Sequence, residues 1–273
     1  MPQNAVQAKK KFGQNFLVSK FHLELLESEL RLFIQKTSPA KILEIGPGAA
    51  ALTRIILNNF SGQVEAWEID PEAVDYLSQN LVNQNFHLFQ RDALKFLEEV
   101  LKGESEFTSQ AEEYVLVSNL PYNVGSRILV DITQLKFKPN GFLVMLQKEV
   151  GEKLILKEKN TNLLGTFLNL FWDIKLVAKF PRSAFSPQPN VESVLVRATL
   201  KQANHSLDAT KALFLLKNLL KYPNKTIANN LTNLGWESKK IHDFMLKFSL
   251  EKNIRLTNLN YEQILVLIQQ YED

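Results

Sequence analysis

From Lys41 to about Leu146, short unbroken apolar runs alternate with stretches whose apolar residues recur at helical spacing. Five runs read as strands: Lys41–Ile45, which ends in Gly46-Pro47-Gly48, then Gln63–Ile69, Phe86–Gln90, Tyr114–Ser118 and Gly141–Leu146. Between them Val74, Leu77 and Leu81 keep one helical face, and Asp70-Pro71 reads as a helix start, with a capping acid and a proline at the first helical position. Continuous apolar strands separated by helices predict a parallel sheet covered on both faces. The pattern then changes. Ile174–Phe180 and Ser193–Leu200 are separated by a turn containing Pro181, Pro187 and Pro189, with no helix of normal length between them. They are expected to pair antiparallel at one sheet edge, which makes seven strands.

The remainder reads as helical. Ala209–Lys221 places Leu213, Leu216, Leu219 and Leu220 on one side. Ile227–Leu234 ends at Gly235, a good residue just past a helix end. Ser238–Phe248 and Tyr261–Tyr271 follow, with Asn260 and Gln263 spaced as a capping box. The boundary is expected near Lys201–Ser206, giving a domain over residues 1–201 and a small all-helical domain over 202–273. Polar, acidic Gly103–Glu113 reads as a loop.

Composition narrows the class. Hydrophobic residues at 45% and charged residues at 22% are ordinary for a globular chain, and the absence of cysteine excludes disulfides and thiolate metal sites. His22, His87, His205 and His242 lie far apart, so no metal is expected. No apolar run is long enough for a membrane span and no secretory signal is apparent, so a cytoplasmic setting is expected. The net charge of +3 is unevenly spread: residues 1–200 carry 22 basic and 22 acidic side chains, residues 201–273 carry 10 and 7. Lys9-Lys10-Lys11 forms a further basic cluster that could neutralise phosphates or be a solvated charge run.

The first strand–helix junction, Glu44-Ile45-Gly46-Pro47-Gly48-Ala49-Ala50-Ala51, lets backbone approach a ligand closely. Glu68, ending the second strand, is placed to accept both hydroxyls of a ribose, and Asp92, after the third, to meet an adenine amino group. This turn suits either NAD or S-adenosylmethionine, since Gly46-x-Gly48-x-x-Ala51 also satisfies the dinucleotide fingerprint.

Asn119-Leu120-Pro121-Tyr122, after the fourth strand, favours the second cofactor. An amino group on an aromatic base is a poor nucleophile because its lone pair is delocalised into the ring. The Asn119 side-chain carbonyl and the Leu120 main-chain carbonyl can hold its protons out of the ring plane, and Tyr122 offers a flat face for the base. Positioning for in-line attack then supplies most of the catalysis.

The ordered set of motifs resembles the ribosomal RNA adenine dimethyltransferase family, in its bacterial small-subunit branch. The resemblance is carried by Lys11-Phe12-Gly13-Gln14-Asn15-Phe16-Leu17, Glu44–Gly48, Glu68-Ile69-Asp70, Asp92-Ala93-Leu94, Asn119–Asn123, Leu146-Gln147-Lys148-Glu149-Val150 and the segment from Phe180 to Ser193, and it covers nearly the whole chain. Departures are Arg91 in place of a usual Gly, Val124-Gly125-Ser126-Arg127 after the Asn119 motif, Leu163–Leu168, and Tyr222-Pro223-Asn224-Lys225-Thr226 where a more basic stretch is usual.

The resemblance implies a Rossmann-like class I methyltransferase fold, with a seven-stranded, mostly parallel sheet bearing an antiparallel edge strand, plus an RNA-binding helical domain. It implies S-adenosylmethionine at Asn15, Leu17, Gly46, Gly48, Glu68, Ile69, Asp92, Ala93 and Asn119. It places a base pocket at Asn119, Leu120, Pro121 and Tyr122, with Phe185 packing on the target base opposite Tyr122. The implied reaction is N6-dimethylation of two adjacent adenines near the 3′ end of 16S rRNA, in ribosome biogenesis. A chain with so little net charge should bind naked RNA weakly, so the expected partner is a partly assembled small subunit, met by a monomer. The rivals are a 23S rRNA adenine N6-methyltransferase of the macrolide-resistance type, which more often has Ile at the Leu120 position, a non-catalytic ribosome-assembly factor, and an NAD-dependent oxidoreductase, which leaves Asn119–Tyr122 unexplained.

Overall fold

The computed structural model describes residue 9 and residues 14–106, 113–156, 162–204 and 207–272. Lys10, Lys11, Phe12, Gly13, His205, Ser206 and the centre of the expected 103–113 loop lie outside the described residues. The elements run β1 (Phe16–Leu17), α1 (Lys20–Thr37), β2 (Lys41–Ile45), α2 (Ala51–Asn59), β3 (Gln63–Glu68), α3 (Pro71–Asn80), β4 (Phe86–Gln90), α4 (Ala93–Lys102), β5 (Tyr114–Asn119), α5 (Gly125–Gln134), β6 (Gly141–Gln147), α6 (Lys148–Leu154), α7 (Leu163–Phe171), β7 (Trp172–Phe180), β8 (Phe185–Ser186) and β9 (Ser193–Leu200). Helices α8 (Ala209–Lys221), α9 (Ile227–Asn233), α10 (Ser238–Lys247) and α11 (Tyr261–Glu272) complete the chain.

Seven strands form one sheet in the order β4-β3-β2-β5-β6-β9-β7. The first five are parallel, β9 runs against β6, and β7 pairs antiparallel with β9. The two late strands therefore do close one edge as an antiparallel pair. The strand that opposes the sheet direction is β9, second from the edge, with β7 outside it. A separate two-stranded bridge joins β1 to β8, pairing Leu17 with Phe185.

On one face of the sheet Leu26, Leu30 and Phe33 of α1 and Leu52 and Ile56 of α2 pack on Ile42, Val64, Val115 and Leu143. On the other, Trp67 meets Phe96 of α4 edge to face at 5.1 Å, and the Trp172 indole N–H donates 3.0 Å to Thr133 of α5. Coverage of both faces explains why the central strands β2, β5 and β6 are largely apolar rather than alternating, while the edge strands β4 and β7 are partly exposed. One exception is an ion pair: Lys41 and Glu65, both buried, meet at 2.6 Å between β2 and β3. Asp70 caps α3 ahead of Pro71, and Asp92 caps α4 through the N–H groups of Leu94 and Lys95.

Backbone contacts divide the chain into two compact units, residues 1–152 with 172–200, and residues 153–171 with 201–273. The stretch 153–171 thus groups with the helical unit and not with residues 1–201 as its position in the chain suggested. The reason is polar stitching: the Asn204 amide donates 2.7 Å to the Leu170 carbonyl and 2.8 Å to the Tyr261 hydroxyl, and Lys201 donates 2.6 Å to the Asn169 carbonyl. In the same unit Asn260 and Gln263 cap each other reciprocally at 2.9 Å, and Gly235 follows α9 at φ +83°. Among the described residues no helix is long and apolar enough to cross a membrane.

Gly141 starts β6 where a Cβ would sit 2.5 Å from the Ala198 carbonyl and 3.1 Å from the Phe33 ring. Backbone cannot yield there, so Gly141→Ala is expected to destabilise the chain by about 2 kcal/mol or more, read as a lower urea midpoint at unchanged slope. An unchanged midpoint would contradict this packing.

Candidate active site

The carboxyl ends of β4, β3, β2 and β5 open onto one cavity of about 290 Å³. Each strand end contributes the residues its motif suggested. Gly46 and Gly48 line it after β2, both at positive φ (+70° and +53°), a conformation that favours glycine. Glu68 and Ile69 line it after β3, Asp92 and Ala93 after β4, and Asn119, Leu120, Pro121 and Tyr122 after β5. Asn15 closes it from the segment before β1.

The turns after β2 and β5 touch. A Cβ on Gly46 would stand 3.5 Å from Pro121 Cγ, and the Ser118 hydroxyl donates 2.6 Å to the Ile45 carbonyl. The Asn119 amide nitrogen donates 3.1 Å to the Asn15 carbonyl, while its Oδ1, buried, has no hydrogen-bond partner among the described residues. A buried acceptor left open costs folding free energy, which is recovered when a ligand donates to it. The Pro121 carbonyl is engaged by the N–H groups of Val124 and Gly125, which closes the turn, and the Tyr122 hydroxyl is bonded to Ser193 Oγ.

Glu68 is buried and receives the N–H groups of Gly48 (3.0 Å) and Asp70 (2.9 Å). Burial pushes its carboxyl above the ordinary carboxylate range, although these main-chain donors favour the ionised form. The Ile69 N–H also favours the ionised form, so main-chain donors orient the carboxylate toward the cavity it lines. Asp92 uses Oδ1 for its helix cap.

Two expected residues lie elsewhere. Leu17 lines a smaller adjoining cavity of about 30 Å³ that shares Phe16, Gly46 and Asn119 with the main one. Phe185 lines neither and is only 2% exposed. The β1–β8 bridge turns its ring into the apolar cluster of Leu17, Phe180 and Ala184, so it is a core aromatic and not a wall of the base pocket. Lys9 likewise is held by Asp70 at 2.7 Å and Glu72 at 2.9 Å.

Arg91 was visible in the sequence only as a departure. It lines the cavity with its guanidinium 3.7 Å over the Phe96 ring. Glu44 falls within the first glycine motif, where the sequence assigns it no role. It lines the smaller cavity, fully buried, with Oε2 unpartnered among the described residues. Burial, with the nearby Glu68 adding to it, pushes its carboxyl up to about 8. The signal was an acid inside an otherwise apolar strand.

A carboxyl that titrates near 8 in the folded chain and near its ordinary 4.5 when unfolded stabilises the fold through its proton. That contribution is whole below the unfolded value and is lost as pH rises through the folded one. The thermal midpoint is expected to fall between about pH 5 and pH 9, and Glu44→Gln to flatten that fall, in calorimetric scans across pH. Identical slopes would show that Glu44 is not protonated in the fold.

Comparison with known proteins adds to this geometry. The family model described as ribosomal RNA adenine dimethylase matches residues 5–273. The ribosomal RNA small subunit methyltransferase A of Mycoplasma mobile is 33% identical, over 90% of this chain and 91% of that protein. Among solved structures, a dimethyladenosine transferase from Plasmodium falciparum superposes with a TM-score of 0.73 at 19% identity, covering 94% of this chain and 98% of the other. The 23S rRNA methyltransferase ErmE does so with 0.67 at 18%, covering 95% and 100%. At these identities the two structures speak for the fold.

Proposed function

Because the chain belongs to the ribosomal RNA adenine dimethylase family, we propose that it dimethylates N6 of two adjacent adenines near the 3′ end of 16S rRNA, using S-adenosylmethionine, within the small ribosomal subunit or its assembly intermediate. The small-subunit assignment draws on the name of the Mycoplasma mobile relative. The observation that carries the chemistry is the open, buried Asn119 Oδ1 beside the Gly46 turn. In this reading the chain works as a monomer in the cytoplasm, as a step of ribosome biogenesis, and uses no metal.

The residues present fit the cofactor. Glu68, held by main-chain N–H groups, faces the cavity where ribose hydroxyls would lie, Gly46 and Gly48 allow close backbone approach, and Asp92, Ala93 and Ile69 border the nucleobase end. S-adenosylmethionine supplies a methyl on a positively charged sulfur. Asn119 Oδ1 accepts one N6 proton of the target adenine and the Leu120 carbonyl the other, which turns the nitrogen lone pair out of the ring. Pro121 and Tyr122 wall the base, which is splayed from its loop. Each pass would form one N6–C bond as one sulfur–methyl bond breaks, leaving the thioether, with one N6 proton passing to solvent. Phe185 supports this site from the core behind β1.

Two experiments test the reading. Undermethylated small subunits incubated with labelled cofactor and digested to nucleosides should yield dimethyladenosine. Label appearing only in large-subunit RNA, or none at all, would sink the assignment. Asn119→Ala should lower turnover by roughly a hundredfold with cofactor affinity changed far less, whereas Glu68→Ala should mainly weaken cofactor binding by calorimetry. Equal loss of affinity in both variants would overturn the division of roles.

A further inference from the structure

Two sequence motifs supply no wall to the cavity: Leu146–Val150, and the segment from Phe180 to Ser193. They meet at one place. Lys148 donates its main-chain N–H to the Glu192 carbonyl at 2.9 Å, and its ammonium pairs with the Glu192 carboxylate at 2.7 Å. The next residue, Ser193, is fully buried as the first of β9, in register with Gln147 of β6 and Phe180 of β7. Its hydroxyl is hydrogen-bonded to that of Tyr122, 71 residues away in sequence.

We propose that Ser193 is a positioning residue that tethers the Tyr122 ring to the sheet and thereby governs the second methyl transfer at each adenine. This rests on the reading of Asn119–Tyr122 as the base site. Tyr122 stands in a turn beyond the end of β5, so nothing in strand pairing fixes its ring. A hydrogen bond at the far end of a ring removes the swing that two side-chain torsions allow. The exposed Lys148–Glu192 ion pair is worth little by itself, so the part-buried hydroxyl pair, anchored on the fully buried Ser193, does the holding.

The second transfer depends on this tether more than the first. An unmodified adenine offers two N6 protons, one for each acceptor. N6-methyladenine offers one, so a polar contact is gone and orientation relies more on the aromatic face. A ring free to tilt should therefore release the monomethylated base before its second turn.

The experiment compares Ser193→Ala, Tyr122→Phe, the double variant, Ser193→Thr and Tyr122→Ala on undermethylated small subunits. It reads monomethyl and dimethyl adenosine by mass spectrometry, and cofactor affinity by calorimetry. Ser193→Ala and Tyr122→Phe should each raise the monomethyl to dimethyl ratio by roughly tenfold, with cofactor affinity within about twofold of the parent. The double variant should be no worse than either single one, and Ser193→Thr should restore the ratio, which a general loosening of the fold would not do. A parental ratio in Ser193→Ala alongside impaired Tyr122→Ala would overturn the tether and leave the base site standing. Multiplying effects of the two single changes would also overturn it. Unimpaired Tyr122→Ala would overturn the base site and the tether together.

Discussion

The Ser118 hydroxyl bonded to the Ile45 carbonyl joins the carboxyl ends of β5 and β2, and the site follows from that join. Neighbouring parallel strands deliver their following turns to the same sheet edge. Here one turn is Gly46–Gly48 and the other Asn119–Tyr122, in contact through Pro121. Four adjacent strand ends, β4-β3-β2-β5, span roughly 15 Å at the ordinary strand spacing. That is a length suited to an extended nucleoside with an amino-acid tail. Had β5 paired elsewhere in the sheet, no change in side chains would bring the two turns together.

The chemistry of this edge is dominated by acceptors. Glu44, Glu68, Asp92 and the open Asn119 oxygen surround it, while Arg91 is the cation lining the main cavity among the described residues, its guanidinium lying over Phe96. Such a setting favours a positively charged ligand and donors of N–H and O–H. Burial raises both Glu44 and Glu68, so the edge resists full ionisation until a cation enters. The glycine turn and Glu68 suit either nucleotide cofactor, and the feature that separates the two is the Asn119–Tyr122 turn with its open acceptor beside them.

The sheet was legible in the sequence because both its faces are buried. Continuous apolar strands, the Asp70-Pro71 start, and the Asn260–Gln263 box each announce themselves through local chemistry that the structure repeats. Features made by distant contacts were not. The β1–β8 bridge is two residues long on each side and has no periodicity to read, so the burial of Phe185 was hidden. The grouping of 153–171 with the helical unit depends on Asn204, Lys201 and Tyr261, which are polar residues with many possible uses in a sequence. Within the site, residue types and strand-end positions could be read for Glu68, Asp92 and Asn119. The protonation of Glu44 could not, because it arises from the surrounding burial.

Charge also bears on how RNA is met. In the sheet-bearing unit many cations are committed within the protein: Lys9 to Asp70, Lys41 to Glu65, Lys148 to Glu192 and Arg197 to Glu29. Residues 1–200 are neutral overall, and the cavity is lined by Glu68 and Asp92 with Arg91. On the proposed reading, the net positive charge available to meet phosphate lies in residues 201–273. There Lys221 and Lys225 flank the exposed Tyr222 ring at 5.5 and 4.5 Å. In that reading the unit that does the chemistry holds a sulfonium cofactor and a neutral base. On the proposed reading, selection of the RNA therefore rests on folded shape and on a second surface of modest charge, which suits a structured particle better than a free strand.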